Sequence, residues 1–243
     1  MFNLVTIKSK KEIELMREAC RVTALVHEEL AKNIRPGITT LELDKIAERV
    51  MRENGGFPAE KGYNPGIKGV PPFPASICTS INDEVIHGIP SSRVKLKEGD
   101  VISIDLVVLK DGFNGDAART YVVGKGTKDA YDLLNVTEQA FFEGIKYAKK
   151  GNRVGDISHA IGEYIHQNGF GLVKEFQGHG IGREMHEDPF VFNYRTNNPL
   201  ILQHGMVIAI EPMLNLGCDD VEVLEHRVSV YFVSSQDKLI EHL

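Results

Sequence analysis

The chain reads as an α+β protein built from two related halves, and three repeats in the sequence predict this. Gly99-Asp100-Val101-Ile102-Ser103-Ile104-Asp105 returns as Gly205-Met206-Val207-Ile208-Ala209-Ile210-Glu211. Each is an apolar strand entered through glycine and closed by a carboxylate. The stretch from Gly37 to Asn54-Gly55 parallels that from Gly151 to Asn168-Gly169, and Val22-Thr23 answers Val136-Thr137 at an offset of 114. Helix, helix and strands therefore occur twice in the same order.

Taken along the chain, the basic run Lys8-Ser9-Lys10-Lys11 reads as the solvated start of a first helix. Thr39-Thr40-Leu41-Glu42 is a capping box that opens a second helix, because the Thr hydroxyl and the Glu carboxylate satisfy each other's exposed amides. Leu43, Ile46 and Val50 give that helix one apolar face, and Asn54-Gly55-Gly56 ends it. The Gly- and Pro-rich stretch from Gly62 to Pro74 resists regular structure and reads as a surface loop near a site. Strands are expected near residues 75–81, 101–109 and 113–123. Gly124-Lys125-Gly126 breaks the chain before a third helix. A fourth, with Ile157, Ala160 and Tyr164 on one face, ends at Asn168-Gly169. Further strands are expected near 206–214 and 221–233. Each half is too small to bury both faces of its sheet. The expectation is one domain over 1–243, with halves at about 10–124 and 125–243, joined sheets and four helices outside.

Composition limits the function. The 243 residues are 42% hydrophobic and 26% charged, an ordinary globular balance. Lys and Arg number 28 against 34 Asp and Glu, so the net charge is −6. That argues against a DNA-binding or anionic-membrane surface, both of which need a concentrated basic face. Cys20, Cys78 and Cys218 form no CxxC pair, so a disulfide scaffold or thiolate zinc site is not expected. The first residues lack the apolar core of a secretory signal, and no stretch approaches the roughly 20 apolar residues of a membrane span. A soluble cytoplasmic protein is the expectation.

The chemistry lies in the acids that end the duplicated strands, Asp105 and Glu211. Either alone would read as a solvated strand end, and His179 in Gly178-His179-Gly180-Ile181-Gly182 alone as a loop or core histidine. Asp116 follows Asp105 across Lys110-Asp111-Gly112, and Glu225 follows Glu211 across Gly217-Cys218-Asp219-Asp220. The odd separation of Asp105 and Asp116 calls for a bulge or an odd loop if both are to share a face. Four converging carboxylates would repel one another unless cations join them. With His179 added, mostly oxygen ligands and one imidazole suit two divalent ions such as Mn, Fe(II), Co or Zn.

These residues resemble the metal-ligand set of the type I methionine aminopeptidases. So do the strings Ser80-Ile81-Asn82-Asp83-Glu84-Val85-Ile86-His87-Gly88-Ile89-Pro90, Gly178-His179-Gly180-Ile181-Gly182-Arg183 with His186-Glu187, and Gly205 to Glu211-Pro212. The resemblance runs from about Lys11 to Val233. It implies the pita-bread fold with its pseudo-twofold, in the simple bacterial form without a zinc-binding extension. It also implies removal of N-terminal methionine from nascent chains by a water activated between two metal ions. Asp105 would hold one ion, His179 and Glu211 the other, and Asp116 and Glu225 would bridge them. His87 and His186 would contact the scissile amide, and Glu211 would relay the proton to the leaving amine. The substrate's α-amine would bind at the metal held by Asp105. A monomer with at most transient ribosome contact is expected.

The departures from the family concern the pocket. Glu211 and Glu225 are closer than the family's usual hairpin places them, and the chain has no tryptophan to line the pocket. Gly66 to Pro72 looks inserted, and Met185 stands before His186 where an aromatic is common. Phe73 and Cys78 match the methionine-pocket positions, and Met185 could pack against a thioether. Two other readings follow from the same residues. One is an aminopeptidase with altered first-residue preference, such as a proline-directed relative. The other is a non-catalytic pita-bread binding protein.

Overall fold

The computed structural model describes residues 5–64, 66, 69–223, 231–233 and 240–242. Helix α1 (Lys10–Asn33) begins at a capping box in which the Ser9 side chain accepts from the Glu12 amide and the Glu12 carboxylate accepts from Ser9. Helix α2 (Thr40–Glu53) begins the same way at Thr39 and Glu42. Strands β1 (Phe57–Pro58), β2 (Cys78–Ile81), β3 (Val101–Lys110) and β4 (Phe113–Val122) follow. Strand β3 is the axis of this sheet. One edge pairs with β2 near Asp105 and with β1 near Leu109, and the other pairs along its whole length with β4.

Alternation along β3 divides the sheet into two faces. Ile102, Ile104, Leu106 and Val108 are fully buried against Val22, Val26 and Leu30 of α1 and Leu43, Ala47 and Met51 of α2. The opposite face carries Asp105 and Val107. Because Val107 pairs with Asp116 and Cys78 with Asp105, Asp116 and Cys78 share this second face.

No bulge is needed for that arrangement. The β3–β4 ladder runs unbroken from Val101↔Val122 to Lys110↔Phe113, and the loop is just Asp111-Gly112. Both loop residues have positive φ, 51° and 79°, as a type I′ turn requires. In such a hairpin, residues an odd number apart lie on one face, so the expected bulge or odd loop is replaced by chain reversal itself.

Helices α3 (Lys128–Ile145) and α4 (Val154–Gln167) pack on one another, with Leu133, Ala140, Ile157, Ile161 and Ile165 buried between them and the strands that follow. Those strands are β5 (Gly171–Leu172), β6 (Gly178–Gly180), β7 (Glu187–Val191), β8 (Met213–Asn215), β9 (Val221–Val223), β10 (Tyr231–Val233) and β11 (Ile240–His242). Here β11-β8-β5 form one sheet, while β6–β7 and β9–β10 pair separately.

Two expectations are corrected. Residues 206–212 are not a regular strand. Their described neighbour, β6, is three residues long and gives one bridge, Gly180↔Ile208, plus the bonds Ala209 N to His179 O and Ile181 N to Val207 O. Of the strand expected over 221–233, the described residues form β9 and β10, which pair antiparallel with each other rather than continuing one strand. No helix among the described residues is long and apolar enough to cross a membrane.

Candidate metal centre

The second face of the β3–β4 sheet meets β6 at a cavity of about 500 Å³. Asp116 from β4, His179 from β6 and Glu211 each place one potential ligand atom within 4.8 Å of the other two. His179 Nε2 lies 3.2 Å from Glu211 Oε1 and 3.6 Å from Asp116 Oδ2. Its position is set by backbone packing: a side chain at Gly178 would collide with the Ala209 carbonyl, and one at Gly180 with that of Asp188. The Gly180 carbonyl accepts a 2.8 Å hydrogen bond from His179 Nδ1, which fixes Nδ1 as the protonated nitrogen and turns Nε2 to the acids.

The electrostatics of this group call for positive charge. Burial, then the charges of Asp105 and Glu211, push the Asp116 carboxyl well above its usual range. Burial would pull His179 down, but its hydrogen bond and ion pair with Glu211 and the charge of Asp116 raise it to about 9. Without another cation, the imidazole holds an extra proton between two acids. A divalent ion bound by the same three groups would replace that proton, so the donor set fits such an ion.

The remaining predicted residues fall in the same place, with one exception. Asp105 lines the cavity from β3, opposite Cys78, although its oxygens lie outside the three-residue group. His87, Phe73, Cys78, Met185 and His186 line it too. Glu225, assigned by resemblance as the second bridging ligand, lies outside the described residues. His87 has φ of +59°, a conformation that bulky side chains rarely adopt. Around it Thr79 N donates to Gly88 O and Gly88 N to Ser80 Oγ, holding that turn against β2. The His186 ring stands edge-on to His179 at 4.5 Å, and its Nδ1 is 3.3 Å from the Tyr63 hydroxyl. Burial, followed by the charge on His179, lowers His186 to about 4, so it is neutral at pH 7.

Among the lining residues that sequence reasoning missed are the acid Glu60 and the phenol Tyr63. Glu60 lies two residues beyond the end of β1 (Phe57–Pro58), a strand too short to leave a pattern like the one that marked Asp105.

Two acids and an imidazole gathered at one cavity fit a divalent cation, and the chain belongs to metallopeptidase family M24, whose sequence pattern matches residues 14–232. Within that family its place is among the methionine aminopeptidases. It is 46% identical over 234 residues to methionine aminopeptidase 1 of Bacillus subtilis, covering 96% of this chain and 91% of that protein. The crystal structure of methionine aminopeptidase from Rickettsia prowazekii superposes with a TM-score of 0.92 at 33% identity, over 98% of this chain and 93% of that one. Prolidase from Pyrococcus furiosus, at 24% identity and a TM-score of 0.70, covers 98% of this chain and 62% of its own. That last likeness is one of fold alone, and with the others it bears out the α+β pita-bread expectation.

Proposed function

We propose that this metallopeptidase removes the N-terminal methionine from nascent proteins and peptides, using two divalent ions held by Asp105, Asp116, His179, Glu211 and Glu225. The observation that carries the reading is the convergence of Asp116, His179 and Glu211 on the wall of a cavity that also contains Phe73, Cys78 and Met185. Retention of these donors favours catalysis over a purely binding role for the same cleft. The ions are Mn, Fe(II), Co or Zn by ligand type. Bound there, they supply a Lewis acid for the scissile carbonyl and a nucleophile at neutral pH.

The chain's own groups do the rest. Phe73, Cys78 and Met185 surround the thioether side chain with apolar, polarizable surface. Glu211 accepts the proton of the attacking water and returns it to the nitrogen of the leaving chain as the C–N bond breaks. His186 is neutral, and a Tyr63 hydroxyl donating to Nδ1 leaves Nε2–H as a donor to the scissile amide. His87, held in its strained turn, supplies a second donor to the developing oxyanion.

The chain acts in this reading as a single domain and a monomer, in the cytoplasm, meeting its substrates as they leave the ribosome. Metal-stripped protein, with and without Mn(II), Co(II), Fe(II) or Zn(II), is incubated with peptides varied at the first two residues, and products are read by mass spectrometry. Metal-dependent loss of Met before Ala, Gly or Ser is the expected result. Cleavage of other first residues with Met ignored overturns the specificity, and no cleavage with any of the four metals overturns the activity.

A further inference from the structure

Glu60 is a carboxylate inside the cavity that the ligand set does not use. It is 7% exposed, and neither oxygen has a hydrogen-bond partner among the described residues. It lines the same cavity as Cys78, Asp105 and Asp116. Among the described residues, no protein donor or ion pair repays the desolvation of this group, so the unmet requirement falls on the ligand.

The chemistry of a methionyl peptide leaves few donors to meet it. The thioether side chain has no N–H or O–H, and the pocket around it is otherwise apolar. The scissile amide lies with the histidines. The α-amine is left: bound through its lone pair to the ion that Asp105 would hold in the peptidase reading, it keeps two N–H donors. We propose that Glu60 receives the α-amino group of the substrate, forming with Asp105 a pair of carboxylates about the free N-terminus. The proposal rests on the methionine aminopeptidase reading and deepens it, because a chain whose amine is blocked would bring a carbonyl oxygen against two acids.

The test compares L-methionine with its des-amino analogue, 4-(methylthio)butanoate. Binding to the Mn(II)-loaded full chain is measured by calorimetry for wild type, Glu60→Gln and Glu60→Ala. Wild type should bind methionine at least about tenfold tighter than the analogue. In both variants that preference should fall by about ten- to a hundredfold, with affinity for the analogue within about twofold of wild type. Removing an unpaired buried acid should leave the melting temperature equal or higher. An unchanged preference overturns the proposal. So does a fall in bound Mn(II), which would make Glu60 a ligand, or a shift in the Met-to-norleucine preference, which would make it a side-chain determinant. Turnover of Met-Ala-Ser by wild type is run in parallel. Its absence strikes at the peptidase reading, whereas an unchanged preference with normal turnover strikes only at Glu60.

Discussion

The Lys8 ammonium lies 2.6 Å from the Glu187 carboxylate, with both side chains nearly buried, so the segment before α1 is tied to the residue next to His186. Thr6 also donates to Glu187, and Lys8 N donates to Gly205 O at 2.7 Å. Removing one partner of such a pair leaves the other charge uncompensated in a dry site. Lys8→Met should destabilise the protein by about 3–5 kcal/mol in denaturant unfolding. It should also lower kcat, because the turn that carries His186 loses its anchor. In the Lys8→Met, Glu187→Gln double variant part of the stability should return. A cost equal to the sum of the singles would show that the two side chains act independently.

Asp116 should affect the metal-loaded and metal-free proteins in opposite directions. Its carboxyl is buried among like charges, so Asp116→Ala should leave the metal-free protein as stable as wild type or slightly more so. The same variant should lose metal-dependent turnover and most metal binding. Calorimetric titration with Mn(II) and thermal unfolding of the stripped protein read the two effects separately. Metal affinity equal to wild type would remove Asp116 from the centre.

The contribution of the histidines to the stability of the metal-free protein should peak near pH 6.5. His179 is raised to about 9, so its contribution is complete below 6.5 and is lost as pH rises through 9. His27 and His186 are lowered to about 4, so theirs is present above 6.5 and is lost as pH falls toward 4. The alkaline loss should be no more than about 3 kcal/mol and should shrink when Mn(II) fills the site. Thermal melts from pH 4 to 9.5, with and without metal, check both limbs. A metal-free melting temperature that rises from pH 6.5 to 9 would contradict the assignment of His179.

His87→Asn should reduce kcat by about a hundredfold, the scale of a lost oxyanion donor, with metal stoichiometry unchanged. Steady-state kinetics alongside metal analysis distinguish this from a ligand. Normal kcat would take His87 out of the mechanism. Asparagine tolerates the positive φ at this position, so the backbone of the turn is preserved.

Much of the fold was legible because local rules and packing agree. The capping box at Thr39–Glu42 and the glycine-led strand to Asp105 each express a short-range preference that tertiary structure keeps. The stretch 206–212 shows the limit, since a strand needs a neighbour and β6 offers three residues. The site was legible through its acids and the strings around its histidines. Tyr63 was not, because its contact with His186 spans 123 positions and leaves no local trace. Glu60 escaped because the strand before it, β1, is two residues long, too short to show alternation.

The unbroken β3–β4 ladder ties the catalytic face to arithmetic rather than to distance. Asp105 and Asp116 share a side because their separation, 11 positions, is odd and the turn has two residues. A single residue gained or lost within the paired stretch would send one acid through the sheet into the apolar layer under α1 and α2. Paired changes at matching rungs would restore the side while moving the acid along it. Length change within the paired strands between these two positions is therefore quantised, whereas the turn at Asp111-Gly112 can change length without moving either acid off its face.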